Sequence, residues 1–400
     1  MKKIAIGQAG GPTAVLNESL VGFLEQIDQE VTGILQGFQG LVEGRFIDMG
    51  PSVRNRARAS RNVSGAWLGA GRYTMSETDM ARAVENLKVA QIDTLVFIGG
   101  NGTMWTLQAL SKMASRMNVD LQVIGIPKTV DNDLAETDHA PGFGSAARYV
   151  AHATRDMSKD LEAMQNFEQV RIIETMGRNV GWLAAASGLL KVHENEGPHF
   201  ICLPEQKHDA VGLVEGIRVA IKEYGFASVV VSEGVKLAGG TAVAKTVNGR
   251  EVLGGISEQL AALVEAELGV VARADILGMN QRASQLACSD QDRMEAYQAG
   301  KKAAELVGEC ISDVMVMFRR AAGAKYVYAL DTVGLDQVVA GGERALPEWF
   351  QKAPEAYYDW LRPLIGDGSR ASSVEGTIGA NSASACHHPK IGGISRNLEK

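Results

Sequence analysis

Short apolar runs that end in glycine-rich turns and open into helix-patterned stretches recur along this chain. Lys3–Gly7 runs into Gln8-Ala9-Gly10-Gly11-Pro12-Thr13 and then a helical stretch, Val15–Gln29. Asp93–Ile98 runs into Gly99-Gly100-Asn101-Gly102-Thr103, and Met104–Met117 follows with Met104, Leu107, Leu110 and Met113 on one face. An Asn-Gly pair also suits a hairpin. The next segment repeats near 3.6 residues rather than 2, which favours strand–loop–helix. Strands alternating with helices throughout require parallel sheets covered on both faces, an α/β fold. The 45 glycines against 10 prolines sit at apparent turns, and 400 residues suffice for two cores.

Val31–Leu35 reads as the next strand after the first helix. Arg54, Arg56, Arg58 and Arg61 then form a basic segment, either a solvated face or the approach to a loop, Gly65–Arg72, that brings Arg72 to a phosphate. Thr78–Val89 and Ser145–Gln165 pattern as helices. Val170–Glu174 is a strand leading to Met176-Gly177-Arg178-Asn179-Val180-Gly181-Trp182 and a small-residue helix, Leu183–Leu190. Phe200–Leu203 and Ser228–Ser232 are strands around a helix at His208–Tyr224, and the second runs into Glu233-Gly234. Residues 236–253 suit an inserted loop or hairpin. Ser257–Leu268 is helical, Ala272–Gly278 is a strand carrying Arg273, and Met279-Asn280-Gln281-Arg282 follows. A long helix at Asp290–Glu309 precedes strands at Val314–Arg319 and Tyr326–Leu330.

The net charge is −7, from 40 basic and 47 acidic residues, with no basic excess of the kind nucleic acid demands. Cys202, Cys288, Cys310 and Cys386 are widely spaced with no C-x-x-C pair, which fits a reduced cytosolic protein rather than a disulfide framework or a zinc site. No run of 18 apolar residues exists, and the N-terminal strand is too short for a signal peptide. The expectation is a soluble, cytoplasmic protein with no membrane partner.

The densest chemistry follows the strand that begins at Gln122. Pro127 ends that ladder, because it has no N–H and a fixed φ. Lys128, Thr129, Asp131, Asn132 and Asp133 come next, so a cation, a hydroxyl and two carboxylates share one tight turn. Open α/β sheets bind ligands at such strand ends. The same residues could instead form a solvated Asx turn and a helix cap. Strand–glycine turn–helix units, as at Gly10-Gly11 and Gly99–Thr103, point backbone N–H groups at an anion, and the Gly99–Thr103 loop, one strand before this turn, would flank one crevice with it. Phosphoryl transfer needs an in-line hydroxyl, a base and cations for the moving charge. Asp131 is the candidate base, and Asp133 either supports the turn or reaches a metal.

Gly10-Gly11, Gly69–Arg72, Gly99–Thr103, Pro127–Asp133, Met176–Arg178, Ser232-Glu233 and Leu277–Arg282 together resemble the phosphofructokinase family, over roughly residues 3–330. The P-K-T-V-D-N-D and M-G-R pieces are the specific ones. Gly10–Asn17 and Pro141–Arg148 resemble the pyrophosphate-using bacterial branch in particular. The resemblance implies two Rossmann-like three-layer domains. A phosphoryl-donor domain would take 1–145 and about 283–333, a sugar-phosphate domain about 146–282, and a partly helical C-terminal extension about 334–400.

The activity implied is reversible, magnesium-dependent transfer from pyrophosphate to the 1-hydroxyl of fructose 6-phosphate. Asp131, Lys128 and Arg178 would be catalytic. Gly11, Arg72, Asn101, Gly102, Thr103 and Lys128 would hold the donor, with Asn101 also on magnesium. Thr129, Asp131, Met176, Gly177, Arg178, Glu233, Arg273, Met279 and Arg282 would hold the sugar phosphate. The helix after Met176-Gly177-Arg178 would offer its N-terminus to an anion, and Arg273 would reach the site of a neighbouring subunit in a homodimer or homotetramer; the alternative for Arg273 is an interface salt bridge.

Several positions depart from the family pattern. Lys128 matches pyrophosphate members, whereas Gly102 lacks the Asp by which many of them exclude ATP. Asn101 replaces a magnesium-binding Asp, Met279 a His, and Gln169 falls near another phosphate-binding Arg. ATP as donor, sedoheptulose 7-phosphate as acceptor, and a non-catalytic sugar-phosphate sensor are the alternatives. NAD and lipid kinases share a similar glycine loop but not P-K-T-V-D-N-D with M-G-R. A dinucleotide dehydrogenase is disfavoured, because Gly7–Gly11 is not G-x-G-x-x-G.

Overall fold

A computed structural model of the chain describes residues 3–238, 245–247, 250–252, 254–323 and 325–366. Cys386 and the end of the expected C-terminal extension lie outside these residues. The larger sheet has seven strands, in the order Tyr328–Gly334, Val314–Arg320, Gln122–Pro127, Thr94–Gly99, Ile4–Gln8, Val31–Ile34 and Phe46–Asp48. A second sheet runs Ala272–Ile276, Val170–Thr175, Ala227–Ser232 and Phe200–Cys202. Its strands are all parallel, as expected. The larger sheet is parallel only inside, since both edge strands pair antiparallel. Their connections, 35–45 and 321–327, are shorter than the dozen or so residues that a parallel crossover needs.

The inner strands at Thr94–Gly99, Gln122–Pro127 and Ala227–Ser232 are buried at every position. Helices on both faces leave no wet side, so these strands read as continuous apolar runs. From Ile4–Gln8 the chain winds outward to Val31–Ile34, then returns to pair Thr94–Gly99 on the opposite flank of the first strand. That reversal opens a crevice between the loops after Gln8 and Gly99, the usual ligand position in such sheets.

Helix bounds shift where caps and contacts compete with pattern. The first helix is Leu16–Gln26, and the chain is extended again by Ile27. The helix Ala210–Tyr224 starts later than His208, because the Asp209 carboxylate accepts from the N–H groups of Val211 and Gly212 and caps it. The helix expected from Met104 starts at Asn101, so the G-G-N-G-T loop is itself a helical first turn. The segment Arg54–Arg61 lies largely in a helix, Pro51–Ala59, and is structural. Arg54 caps the first helix through the carbonyls of Leu24 and Ile27, while Arg58 and Arg61 pair with Glu25 and Glu18. Within 236–253, Lys245–Val247 pairs antiparallel with Arg250–Val252, a hairpin.

Leu335–Gly341, Glu348–Lys352 and Pro354–Ile365 are helices beyond the last strand. Tyr357, Leu361, Leu364 and Ile365 are at most 1% exposed and share one core with Trp182, Phe143 and Phe350. Burying each such side chain contributes roughly 1.5–3 kcal/mol, so this segment is part of the main core. Among the described residues, no helix is long and apolar enough to cross a membrane.

Candidate active site

Four loops meet at the crevice. The Gly10 N–H donates to the Gly71 carbonyl (3.0 Å), and the Lys128 N–H donates to the Gly99 carbonyl (3.0 Å). These bonds lock Gly10-Gly11, the Arg72 loop, the Asn101 helix start and the Lys128 turn together. The Lys128 ammonium donates to the Gly11 carbonyl at 2.9 Å. A Cβ on Gly10, which has φ +79°, would lie 3.1 Å from that ammonium, and one on Gly11 would lie 2.6 Å from a terminal nitrogen of Arg282. The left-handed φ calls for glycine at Gly10, and at Gly11 the absent side chain lets the Arg282 guanidinium approach the backbone. Lys128 is 4% exposed. Burial and the nearby Arg282 guanidinium pull its ammonium down to about 8, against opposition from Asp131 and Asp133.

The turn after Pro127 is braced from within. The Thr129 hydroxyl accepts from the Asp131 N–H (3.1 Å) and donates to an Asp133 carboxylate oxygen (3.0 Å). Thr129 thus braces the turn with its hydroxyl proton and one lone pair, and these two bonds leave its second lone pair uncommitted. Asn132 adopts a left-handed φ of 55°, and its side-chain oxygen accepts from the Ala140 N–H (3.1 Å). Burial raises the Asp131 carboxyl to about 7, assisted by the negative Asp133 and Glu233 and opposed by Arg72 and Lys128. A carboxyl near 7 takes up a proton at neutral pH and passes it on, which a base for a hydroxyl must do.

Across the crevice, Gly177 (φ +131°) and Gly234 let two backbones touch. A Cβ on Gly234 would lie 1.7 Å from the Arg178 carbonyl oxygen. The Gly177 N–H reaches the Glu233 carboxylate, whose pKa rises chiefly through burial. The Met176 N–H donates to the Gln281 side chain (2.9 Å). Arg178 and Arg72 both act electrostatically on Glu233, and Arg72 also acts on Asp131, Lys128 and Arg282. One charge cluster therefore joins Arg72, Lys128, Asp131, Asp133, Arg178, Glu233 and Arg282.

Three expectations fare differently. The helix after Met176-Gly177-Arg178 is only Trp182–Ala186, and its N-terminal Gly181 N–H already donates to Glu205 (2.8 Å). A carboxylate of the chain therefore takes one N–H at the end expected to hold an anion. Arg273 is 56% exposed, ion-paired to Glu168 (3.1 Å) and set over the Phe167 ring (5.9 Å). It lies three residues, about 10 Å, before the site end of its strand at Ile276, and does not reach this chain's own cluster. Met279 is exposed at the rim (59%).

Asn101 donates its amide N–H to the Asp133 carbonyl (2.9 Å), which leaves its amide oxygen as the end for a ligand. Among the described residues no group of three or more His, Cys, Asp and Glu could hold a metal by itself. An amide oxygen with one or two nearby carboxylates fits magnesium brought in on phosphate oxygens. Gly102 is open: no atom lies within 4 Å of where its Cβ would sit.

Glu205, Gln281 and Arg344 belong to the site but were not marked by sequence. Gln281 adjoins a flagged arginine. Arg344 had no local signal: its N–H donates to the Asp133 carbonyl (2.8 Å) and its guanidinium to the Asn132 carbonyl (3.3 Å).

Residues 3–307 match the family described as Phosphofructokinase. The chain is 45% identical over 364 residues to a sulfofructose kinase of Alkalicoccus urumqiensis, covering 91% of this chain and 95% of that one. It is 31% identical to a pyrophosphate--fructose 6-phosphate 1-phosphotransferase of Halomonas elongata, covering 90% of each. In the crystal structure of the pyrophosphate-dependent phosphofructokinase from Marinobacter aquaeolei, the TM-score is 0.81 at 30% identity, with 92% of each chain covered.

Proposed function

Since the chain belongs to the phosphofructokinase family, we propose that it moves a phosphoryl group from pyrophosphate to the 1-hydroxyl of a fructose bearing an anion at C6. The observation that carries this reading is Asp131: a carboxyl raised to about 7, within the electrostatic reach of Lys128, Arg72 and Glu233. Asp131 accepts the proton of the attacking hydroxyl. Lys128, drawn over the Gly11 carbonyl, neutralises charge on the donor during transfer. Arg282 beside Gly11 offers a guanidinium fork, which suits phosphate oxygens. Arg178 faces the same charge cluster from the other wall. Magnesium carried by pyrophosphate would be held by the Asn101 amide oxygen and the adjacent carboxylates, and it would supply further neutralisation of the transferring group.

Two acceptors are in play. Fructose 6-phosphate is the acceptor in the name of the Halomonas relative. A sulfofructose is favoured by the 45% relative and by the side chains around Arg273. Gln169, where the family resemblance puts a second arginine, uses its amide to brace the strand carrying Arg273: its oxygen accepts from the Val271 N–H (3.3 Å). Arg171, the register partner of Arg273 on that face, is taken up by Glu168, Asp160 and Asp275, and a face neutralised in this way suits a sulfonate, which has one negative charge, better than a phosphate monoester with up to two. Arg273 would act in the site of a second copy, since it lies on an edge strand beside the exposed Phe167, Val271 and Ile276.

A panel of pyrophosphate and ATP against fructose 6-phosphate, sulfofructose and sedoheptulose 7-phosphate tests the reading. We expect pyrophosphate with sulfofructose to give the highest kcat/KM. A Gly102→Asp variant should lose any ATP use and keep pyrophosphate use. Turnover with ATP alone overturns the donor, and a preference for fructose 6-phosphate overturns the sulfonate.

A further inference from the structure

The two walls of the crevice, the Asp131–Asp133 turn and the Met176–Gly181 loop, come from different sheets. One stretch of chain beyond the last strand is bonded to both. Glu343 forms an antiparallel bridge with Leu134, and the Arg344 N–H donates to the Asp133 carbonyl (2.8 Å). The Arg344 guanidinium donates to the carbonyls of Asn132 and Thr137 and stacks 4.5 Å over the Trp182 ring. In return, the Trp182 indole N–H donates to the Arg344 carbonyl (3.0 Å). The Glu343 carboxylate accepts from the Asn179 amide (2.6 Å). One oxygen of Glu205 accepts from both the Gly181 N–H (2.8 Å) and the Leu346 N–H (2.9 Å).

We infer that Glu343–Leu346 is a clip that sets the distance between the base turn and the Met176-Gly177-Arg178 loop, with Arg344 as its positioning residue. Asn132, at left-handed φ, has no backbone ladder of its own to hold its carbonyl. Arg344 supplies the missing donors, and its side chain spans from that carbonyl to the opposite wall at Trp182. Lysine in its place carries the charge but lacks the planar fork that reaches two carbonyls and stacks on indole. The clip rests on the reading of Asp131 as the base, and it adds the means by which that base is aimed.

Arg344→Ala, Arg344→Lys and Asp131→Asn should be assayed side by side, with folding followed by circular dichroism and thermal unfolding. Displacing a reacting group by an ångström can cost about 10²-fold in rate. We expect Arg344→Ala to lower kcat by ~10–10²-fold while KM for the sugar changes little, and added guanidinium at non-denaturing concentration to restore part of kcat. Arg344→Lys should fall between it and the unmodified protein. If the alanine variant does not fold, the lysine variant carries the comparison. A folded Arg344→Lys protein with unchanged kcat, or an alanine variant whose loss lies in KM and resists guanidinium, removes the clip. If Asp131→Asn keeps its transfer rate, the base assignment fails, whatever Arg344 does.

Discussion

Asp131 carries a folding cost that can be measured apart from turnover. Its carboxyl rises from 3.8 to about 7, chiefly through burial, and such a rise corresponds to roughly 4 kcal/mol of preference for the protonated form. The sign follows from linkage. Between about pH 4 and 7 the folded chain binds a proton that the unfolded chain has released, so this group's contribution to stability falls as pH rises through that window. Below it the cost vanishes, and above 7 it is fully present. Water in the open cleft screens part of the effect, so the cost at pH 8 is about 2–4 kcal/mol. Asp131→Asn keeps the shape and removes the charge. At pH 8 it should therefore be more stable than the unmodified chain, with Tm higher by ~2–5 °C for a chain of this length, and the gain should shrink steadily toward pH 5. Losing a positioned base should lower kcat by ~10²–10⁴-fold. Thermal unfolding at pH 5, 6.5 and 8, paired with a coupled transfer assay at pH 8, measures both. If the variant is no more stable at pH 8, or gains equally at all three pH values, the carboxyl is not held in the desolvated state described above, and the case for its role as base loses its physical ground.

Two further tests use the same cluster. Pyrophosphate turnover should be bell-shaped in pH, with an acid limb near 7 from Asp131 and an alkaline limb near 8 as Lys128 loses its proton. Lys128→Gly should lower it by ~10²-fold or more and abolish the alkaline limb, whereas a loss under about threefold would show that the ammonium does not stabilise transfer. Arg273→Ala and Asp131→Ala, each nearly inactive alone, should regain about a quarter of normal activity when co-expressed as a two-fold dimer with shared sites. No recovery in verified hybrids would place Arg273 outside any site.

The parts of this molecule that could be read from sequence are those whose physics is local. The runs at Thr94–Gly99 and Ala227–Ser232 are buried on both faces, so composition alone marks them. The base turn is local as well, because Pro127, Thr129, Asn132 and Asp133 fix one another within a few residues. Elsewhere a distant partner decides the outcome. The stretch Leu183–Leu190 has the small residues of a helix. However, a Cβ on Gly188 would fall 2.0 Å from the Tyr358 hydroxyl, and Ser187 bonds back to the Ala184 carbonyl, so the helix stops at Ala186. The antiparallel edge at Tyr328–Gly334 follows from a short connection, which pattern alone does not reveal.

The same distinction bears on how the site is assembled. Its proposed donor half is built on the glycine turns at Gly10-Gly11 and Gly99–Thr103, with Lys128 and Arg282 set against Gly11. Its base is aimed by Arg344, 212 residues from Asn132, whose carbonyl it holds. A contact of that separation forms only after both sheets and the segment beyond them have packed, because loop closure over such a span is costly until other contacts have brought the ends together. Donor binding depends on contacts of up to 271 residues' separation, as between Gly11 and Arg282, but these lie before the clip, while transfer depends on completion of the whole fold through Ile365. Partial loosening of the Pro354–Ile365 helix should leave donor affinity near normal and depress kcat. This separation follows from the geometry of the clip, and it makes the packing of Tyr357, Leu361 and Leu364 a determinant of rate as well as of stability.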